Sequence, residues 1–294
     1  MPYRLQIALV FLAPLFILVG LYALGGALGV KAPLLGRSYV IRLTLPDADQ
    51  AVGLPPIEGP QDPGRPLVVI DPGHGGHDPG ASGAGALGRL REKTLALGLA
   101  RALRDELLRR GGVRVALTRS DDRFLVLEER AEIARRLGAD LFLSIHADSA
   151  GDQAGVSGAS VYTLSARASS QAAARFAARE NSADIVNGVV LGDQEPQVNA
   201  ILVELAQRRS QERSNEFAGL IVREVQGVIR FLPQARRSAA LVVLKAPDVP
   251  SALFEAGFIS NPEDAGRLAS PAGQRRFAEA MGRAIRVFFA RQAL

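Results

Sequence analysis

Apolar residues along the chain fall into two alternating kinds of run. Short runs with apolar residues on neighbouring positions occur at LVVID (67–71), VRVALTR (113–119), LFLSIHA (141–147), ASVYTL (159–164), AALVVLKA (239–246) and SALFEAG (251–257), and each predicts a strand. Longer stretches between them carry apolar residues at helical spacing. EKTLALGLARALRDELLRR (92–110) places Leu95, Leu99, Leu103 and Leu107 on one face, and a Gly-Gly pair ends it. Further helices are predicted at about 125–137, with Leu127, Ile133 and Leu137 inward, and at about 168–179, 200–231 and 273–291. Strands that are apolar throughout, alternating with helices, predict an α/β fold: a mostly parallel, twisted sheet of about six strands with helices on both faces, in a single domain.

The segment ahead of this pattern is of another kind. From Leu5 to Val30 no residue is charged, and Arg4 precedes the run. At roughly 20 residues an apolar segment can span a bilayer. Ala23-Leu24-Gly25 is also a small-x-small cleavage site of the kind that ends a signal peptide. Residues 1–30 are therefore expected to be a signal peptide or a membrane anchor, giving export with or without a tether. Lys31, Arg37 and Arg42 follow, so flanking charge assigns no orientation. SYVIRLTLP (38–46) could form a short strand, but 31–66 as a whole, rich in proline, glycine and acid from Asp47 on, reads as a linker. The folded domain is expected over 67–294, with no internal repeat.

Composition narrows the chemistry. The formal charge is +5, but its arginines are scattered among acids on helical patterns, with no run of like charge. Aromatic residues make up 5% and tryptophan is absent. Both observations argue against a nucleic-acid partner. The absence of cysteine excludes disulfides, thiolate metal sites and cysteine nucleophiles.

The chain has three histidines, His74, His77 and His146, two of them inside DPGHGGHDPG (71–80). Ligands of open parallel sheets bind beyond the carboxyl ends of the strands. Strand 67–71 runs into His74, strand 141–147 carries His146 near its end, strand 251–257 carries Glu255, and Glu92 opens a helix. Two histidines and one carboxylate with a position left for solvent are the composition of a catalytic zinc site. Between His74 and Arg104 the only acids are Asp78 and Glu92, and Glu92, anchored at a helix start, is the favoured ligand. Other readings remain for each residue. The glycine loop could be a turn or a phosphate cradle, although it lacks the GxxxxGK[ST] lysine. His146 could be a hydrogen-bonded strand end, and Glu255 could pair with an arginine. Neither HExxH nor HxxEH occurs.

VVIDPGHGGHDPGASG, LREK, LTRSDDRFLVLEERAEIAR, ADLFLSIHADSA, GASVYTLS and VLKAPDVPSALFEAGFISNPED, in this order, resemble the zinc-dependent N-acetylmuramoyl-L-alanine amidases of the AmiA/AmiB/AmiC type. The resemblance runs from about residue 67 to the C-terminus. It implies a periplasmic enzyme that hydrolyses the amide joining N-acetylmuramic acid to L-alanine in peptidoglycan. It also implies one Zn2+ per chain held by His74, Glu92 and His146, with Glu255 as the catalytic glutamate. His77 matches no ligand position and is expected to be a loop residue near the site.

SSQAAARFAARENSADIVNGVV (169–190) resembles the inhibitory insertion of the cell-division members, in which a helix covers the cleft and a glutamate occupies the open zinc position. The insertion is expected at about 165–200, with Glu180 as the plug. An ordinary surface helix, its glutamate paired with Arg175 or Arg179, is the alternative. Autoinhibition implies an activator, in this family a LytM-domain protein, and a role in daughter-cell separation; the enzyme itself is expected to be a monomer. Two departures stand out: an Ala/Gly-rich insertion at GASGAGALG between His74 and Glu92, and a region before residue 67 too short for a wall-targeting domain. A non-catalytic wall-binding or scaffolding protein on the same fold is the competing function, which retention of both histidines and both glutamates speaks against. A zinc amidohydrolase of different amide specificity is the third.

Overall fold

The computed structural model describes residues 53–83, 88–186, 189–190 and 200–292, together with positions 12, 13 and 19. The N-terminal apolar run, save those three positions, and the strand expected at 38–46 lie outside the described residues. Residues 51–294 form one compact unit. Among the described residues no helix is long and apolar enough to cross a membrane.

The elements in chain order are β1 (Leu67–Pro72), α1 (Glu92–Arg110), β2 (Arg114–Leu117), α2 (Leu127–Arg136), β3 (Leu141–Asp148), β4 (Ala159–Leu164), α3 (Gln171–Asn181), a two-residue ribbon of β5 (Ile185–Val186) and β6 (Val189–Val190), α4 (Ala200–Val225), β7 (Phe231–Ala239), β8 (Ser251–Phe258), α5 (Pro262–Ala269) and α6 (Pro271–Gln292). Six strands form one sheet in the order β2-β1-β3-β8-β4-β7. β4 runs antiparallel to β8, and the other pairings are parallel. This is the mostly parallel α/β domain that the continuous apolar runs predict.

Alternation along each strand divides the core between two layers. Val68 and Ile70 of β1, with Leu141, Leu143 and Ile145 of β3, pack against α1, α4 and α6. Leu67 and Val69, with Phe142 and Leu253, pack on the other face against α2, α3 and the turn after β7. Complete burial of such side chains stabilises by about 1.5–3 kcal/mol each, so two covered faces hold the sheet firmly. Asp71, Ser144, His146 and Glu255 belong by alternation to the second face, toward or at the carboxyl ends of β1, β3 and β8.

Two expectations need correction. The strand expected at 239–246 is absent apart from Ala239; Val242–Leu244 form a 3-10 turn whose Val243 and Leu244 are buried. An apolar run reports burial, and a single tight turn buries residues as well as a strand does. The sixth strand is instead Phe231–Ala239, preceded by a helix that stops at Val225 rather than 231. Gly227, with φ +98°, turns the chain out of that helix. β7 contains Pro233 and pairs only with β4, the edge placement that proline requires. Within the stretch read as linker, Glu58 exchanges both backbone hydrogen bonds with Val115 (2.8 and 2.9 Å), capping the outer edge of β2. Sequence reasoning also missed α5, which Asn261 caps through Glu263 and Asp264 with Pro262 in its first turn.

Candidate metal and catalytic centre

His74 follows β1 directly, in a loop whose backbone few sequences tolerate. Its φ is +59°, the left-handed conformation that side chains rarely adopt, and Gly75 and Gly76 follow at +131° and +58°. Gly75 and Asp78 exchange backbone hydrogen bonds and close the turn. A Cβ on Gly73 would lie 2.4 Å from two atoms of the His146 ring. One on Gly80 would lie 2.6 Å from His74 and 2.7 Å from Glu92. Missing side chains are thus what lets three polar groups meet.

The loop's Ala/Gly insertion does not displace Glu92. Ser82 and Arg91 pair across its base, and the Gly83 N–H donates to the Leu90 carbonyl. Glu92 then begins α1, where the helix dipole favours a carboxylate. Its Oε1 accepts from the Ala147 N–H (3.0 Å) and its Oε2 from the Ala81 N–H (2.8 Å). The first of these bonds ties it to the residue after His146.

The three side chains converge on one point. Glu92 Oε1 lies 3.0 Å from His74 Nε2 and 3.0 Å from His146 Nδ1, and the two nitrogens are 3.2 Å apart. All three residues are buried. A fourth group closes over them: Glu180 Oε2, near the end of α3, is 3.7 Å from His74 Nε2 and 3.4 Å from His146 Nδ1. Ligands about 2.0–2.1 Å from a tetrahedral metal stand roughly 3.3–3.4 Å apart, so these separations suit a zinc-sized ion. His74 Nδ1 lies 2.7 Å from Asp78 Oδ2, which presents Nε2 to the cluster. A carboxylate behind a histidine orients metal-binding imidazoles in this way.

Electrostatics agree. Burial disfavours a charged His74, yet Glu92 and Asp78 outweigh it and raise its pKa well above the ordinary range. Burial likewise pushes Glu92 up, but His74 and His146 hold it well below a normal carboxylate. Such a pocket demands positive charge at its centre, which protons or a divalent cation can supply.

Glu255 behaves differently. It pairs in register with His146 on β3 and with Ser160 on β4. Both its carboxyl oxygens are buried with no hydrogen-bond partner among the described residues. Burial first, then the charges of Asp148, Glu92 and Glu180, raise its pKa well above normal, with Arg179 opposing. A carboxyl without a structural partner, held ready to exchange a proton beside a metal-type cluster, is suited to acid–base chemistry.

α3 carries the covering glutamate. Ser170 caps it through the Ala173 N–H, Phe176 stacks on Tyr162 at 4.3 Å, and Asn181 donates to the Ala240 carbonyl. Arg179 lies 3.1 Å from Glu180 Oε1 and 2.6 Å from Asp148 Oδ1. Glu180 thus turns one oxygen toward Arg179 and the other toward the two histidines. Asp78 stands behind His74, outside the cluster. His77 is exposed and lies against Phe124, with ring centroids 4.1 Å apart.

Sequence reasoning missed Asp148 and the framework beneath His74. Asp71 is buried among Arg130 (2.9 Å), Thr118 (2.6 Å) and Ser144 (2.7 Å). Burial pushes its pKa up, but Arg130, Thr118 and Ser144 prevail and keep it below normal. The available signal is the acidic Asp71 ending an otherwise apolar strand run, LVVID.

Fold and site together define a class: a mostly parallel α/β domain with a His/Glu/His cluster of metal-ligand composition at the carboxyl edge of its sheet. The profile of the family described as N-acetylmuramoyl-L-alanine amidase matches residues 68–287, and the chain belongs to that family. It is 39% identical over 227 residues to N-acetylmuramoyl-L-alanine amidase AmiA of Escherichia coli K12, covering 77% of each chain. It is 35% identical over 245 residues to AmiC of Escherichia coli O6:H1, covering 81% of this chain but 57% of AmiC. Among solved structures, amidase AmiC2 of Nostoc punctiforme superposes with a TM-score of 0.54 at 30% identity, covering 77% of this chain and 98% of that one. By family, then, the chain is an amidase.

Proposed function

We propose that the protein is a zinc-dependent peptidoglycan hydrolase cutting the amide between N-acetylmuramic acid and L-alanine, restrained by its own α3. The observation that carries this reading is the approach of His74 Nε2, Glu92 Oε1 and His146 Nδ1 to within 3.0–3.2 Å of one another, beside an unpartnered Glu255. His74, Glu92 and His146 would hold one zinc ion, which when bound supplies Lewis-acid polarisation of an amide carbonyl and acidifies water. Glu255 takes a proton from the attacking water and returns it to the alanine nitrogen, because an amine leaves only when protonated. Burial, with the charges of Asp148 and Glu92, gives this carboxyl the proton affinity that both steps need.

In the restrained state Glu180 would fill the position that three ligands leave open, with the Arg179–Asp148 ion pair anchoring the helix that carries it. Release then calls for a partner, for which a LytM-domain protein is the proposed class, and daughter-cell separation is the proposed role. Export to the periplasm through residues 1–30, cleaved or tethered, would bring enzyme and wall together. The test couples zinc stoichiometry of the purified protein to mass spectrometry of digested sacculi. About one zinc per chain and released stem peptides are expected; release of sugar fragments or no release would reject the reading.

A further inference from the structure

Arginine is costly to bury, and this chain buries two beside the His74 loop: Arg119 is 0% exposed and Arg130 2%. Arg130 has a carboxylate partner in Asp71 and also donates to the carbonyls of Pro72 and His74 (both 2.9 Å). Arg119 makes no carboxylate hydrogen bond among the described residues, and its contacts are backbone carbonyls. Nε donates to Pro72 (2.9 Å), Nη1 to Asp121 (2.8 Å), and Nη2 to both Gly73 (2.7 Å) and Lys93 (2.9 Å). Burial lowers its pKa to about 10, so it remains a cation at neutral pH.

The two acceptors of Nη2 flank the metal centre. Gly73 immediately precedes His74, and Lys93 immediately follows Glu92. We infer that Arg119 is a positioning residue for the metal centre, setting the separation of His74 and Glu92 by bridging the carbonyls of Gly73 and Lys93. His74 sits in a left-handed conformation that its own sequence disfavours, so an outside restraint is needed to keep its imidazole aimed. A planar guanidinium supplies a rigid restraint, whereas a lysine ammonium is a single point on a flexible stem and cannot satisfy four carbonyls in one geometry.

This inference rests on the metal reading above, and the test separates the two. The purified full chain, Arg119→Lys and Ile285→Ala are titrated with Zn2+ against a chromogenic chelator, with folding followed by circular dichroism. Ile285 lies in the core on the other face of the sheet and serves as a destabilised control. Arg119→Lys should bind zinc roughly 10–100-fold more weakly, and its sacculus hydrolysis should fail at limiting zinc but recover in excess. Ile285→Ala should keep the wild-type affinity. A wild-type protein that binds no zinc defeats the metal reading itself. If wild type binds, equal affinity in Arg119→Lys overturns the inference alone, as does an equal loss in Ile285→Ala. An Arg119→Lys protein that stays unfolded at every zinc concentration assigns the residue to the fold and overturns it too.

Discussion

Glu180 Oε2 lies 3.4 Å from His146 Nδ1, on the same nitrogen that Glu92 Oε1 approaches at 3.0 Å. One carboxylate is fixed by two backbone amides. The other rides on a helix held by an aromatic stack, capping contacts and an ion pair whose arginine is half exposed. The first is built to stay and the second to leave.

Glu180→Ala should therefore raise basal hydrolysis of sacculi while leaving zinc content unchanged. Interactions with charged groups contribute about 1.5–3 kcal/mol, which shifts a closed-to-open ratio by roughly tenfold to hundredfold. Dye release from labelled sacculi measures the effect, and an unchanged basal rate would leave Glu180 only the role of an ion-pair partner of Arg179.

Glu180→Gln should also shift the pH profile. The Glu180 charge is one of the causes that raise the Glu255 pKa, so its removal lowers that pKa. A general base works in its ionised form, above its pKa. In the unactivated enzyme, where Glu180 lies over the cluster, the acidic limb of kcat/KM should accordingly move to lower pH than in wild type. A limb that stays put, or moves upward, would show that another group controls it.

Glu255→Gln keeps the shape and burial of the side chain and removes its capacity to accept and return a proton. Zinc stoichiometry and thermal midpoint should stay near wild type while kcat falls by about 10²–10⁴-fold. Because both native oxygens lack hydrogen-bond partners among the described residues, little folding stability depends on this carboxyl. Retained turnover would remove Glu255 from the chemistry.

Asp71→Asn tests the framework below the centre. It removes the partner of Arg130, both fully or nearly fully buried, and breaking such a pair costs about 3–5 kcal/mol. The Asp71 pKa is depressed in the folded protein, so its contribution is fully present above the unfolded value of 3.8 and is lost as pH falls through the lower folded value. Urea denaturation should show the variant weaker at pH 7, with the gap closing only at pH below 3.8. A constant gap across that range would contradict the linkage.

How far the sequence discloses all this depends on which physical signal each element leaves. α1 is readable because its leucines recur on one face and a Gly-Gly pair ends it; the structure has it at Glu92–Arg110. β7 is not, because an edge strand with Pro233 and partly exposed residues lacks a continuous apolar run, whereas the turn at Val242–Leu244 has one. His74, His146 and Glu255 stand out as rare polar residues at or near strand ends, and the structure brings the first two together with Glu92. Arg119 and Arg130 do not stand out. They are two among many arginines, and only the tertiary placement of Asp71 and of the Pro72–His74 carbonyls decides which are buried.

Gly73→Ala probes the closest approach in the centre. Gly73 is not in a left-handed conformation, so alanine meets no intrinsic backbone penalty there. Its Cβ would, however, fall 2.4 Å from the His146 ring, far inside van der Waals contact. Either the ring swings away or the loop lifts, and both separate His146 Nδ1 from His74 Nε2. Overpacking of this kind costs about 1–3 kcal/mol, but the larger effect should fall on the metal: zinc affinity should drop by roughly tenfold or more, since displaced ligands lose their shared geometry. Isothermal titration measures it, with Gly111→Ala as a control, because Gly111 has φ +70° but nothing within 4 Å of an added Cβ. Zinc affinity should then fall in the first variant and hold in the second. Wild-type affinity in Gly73→Ala would mean that the His146 ring has room to yield without leaving the cluster.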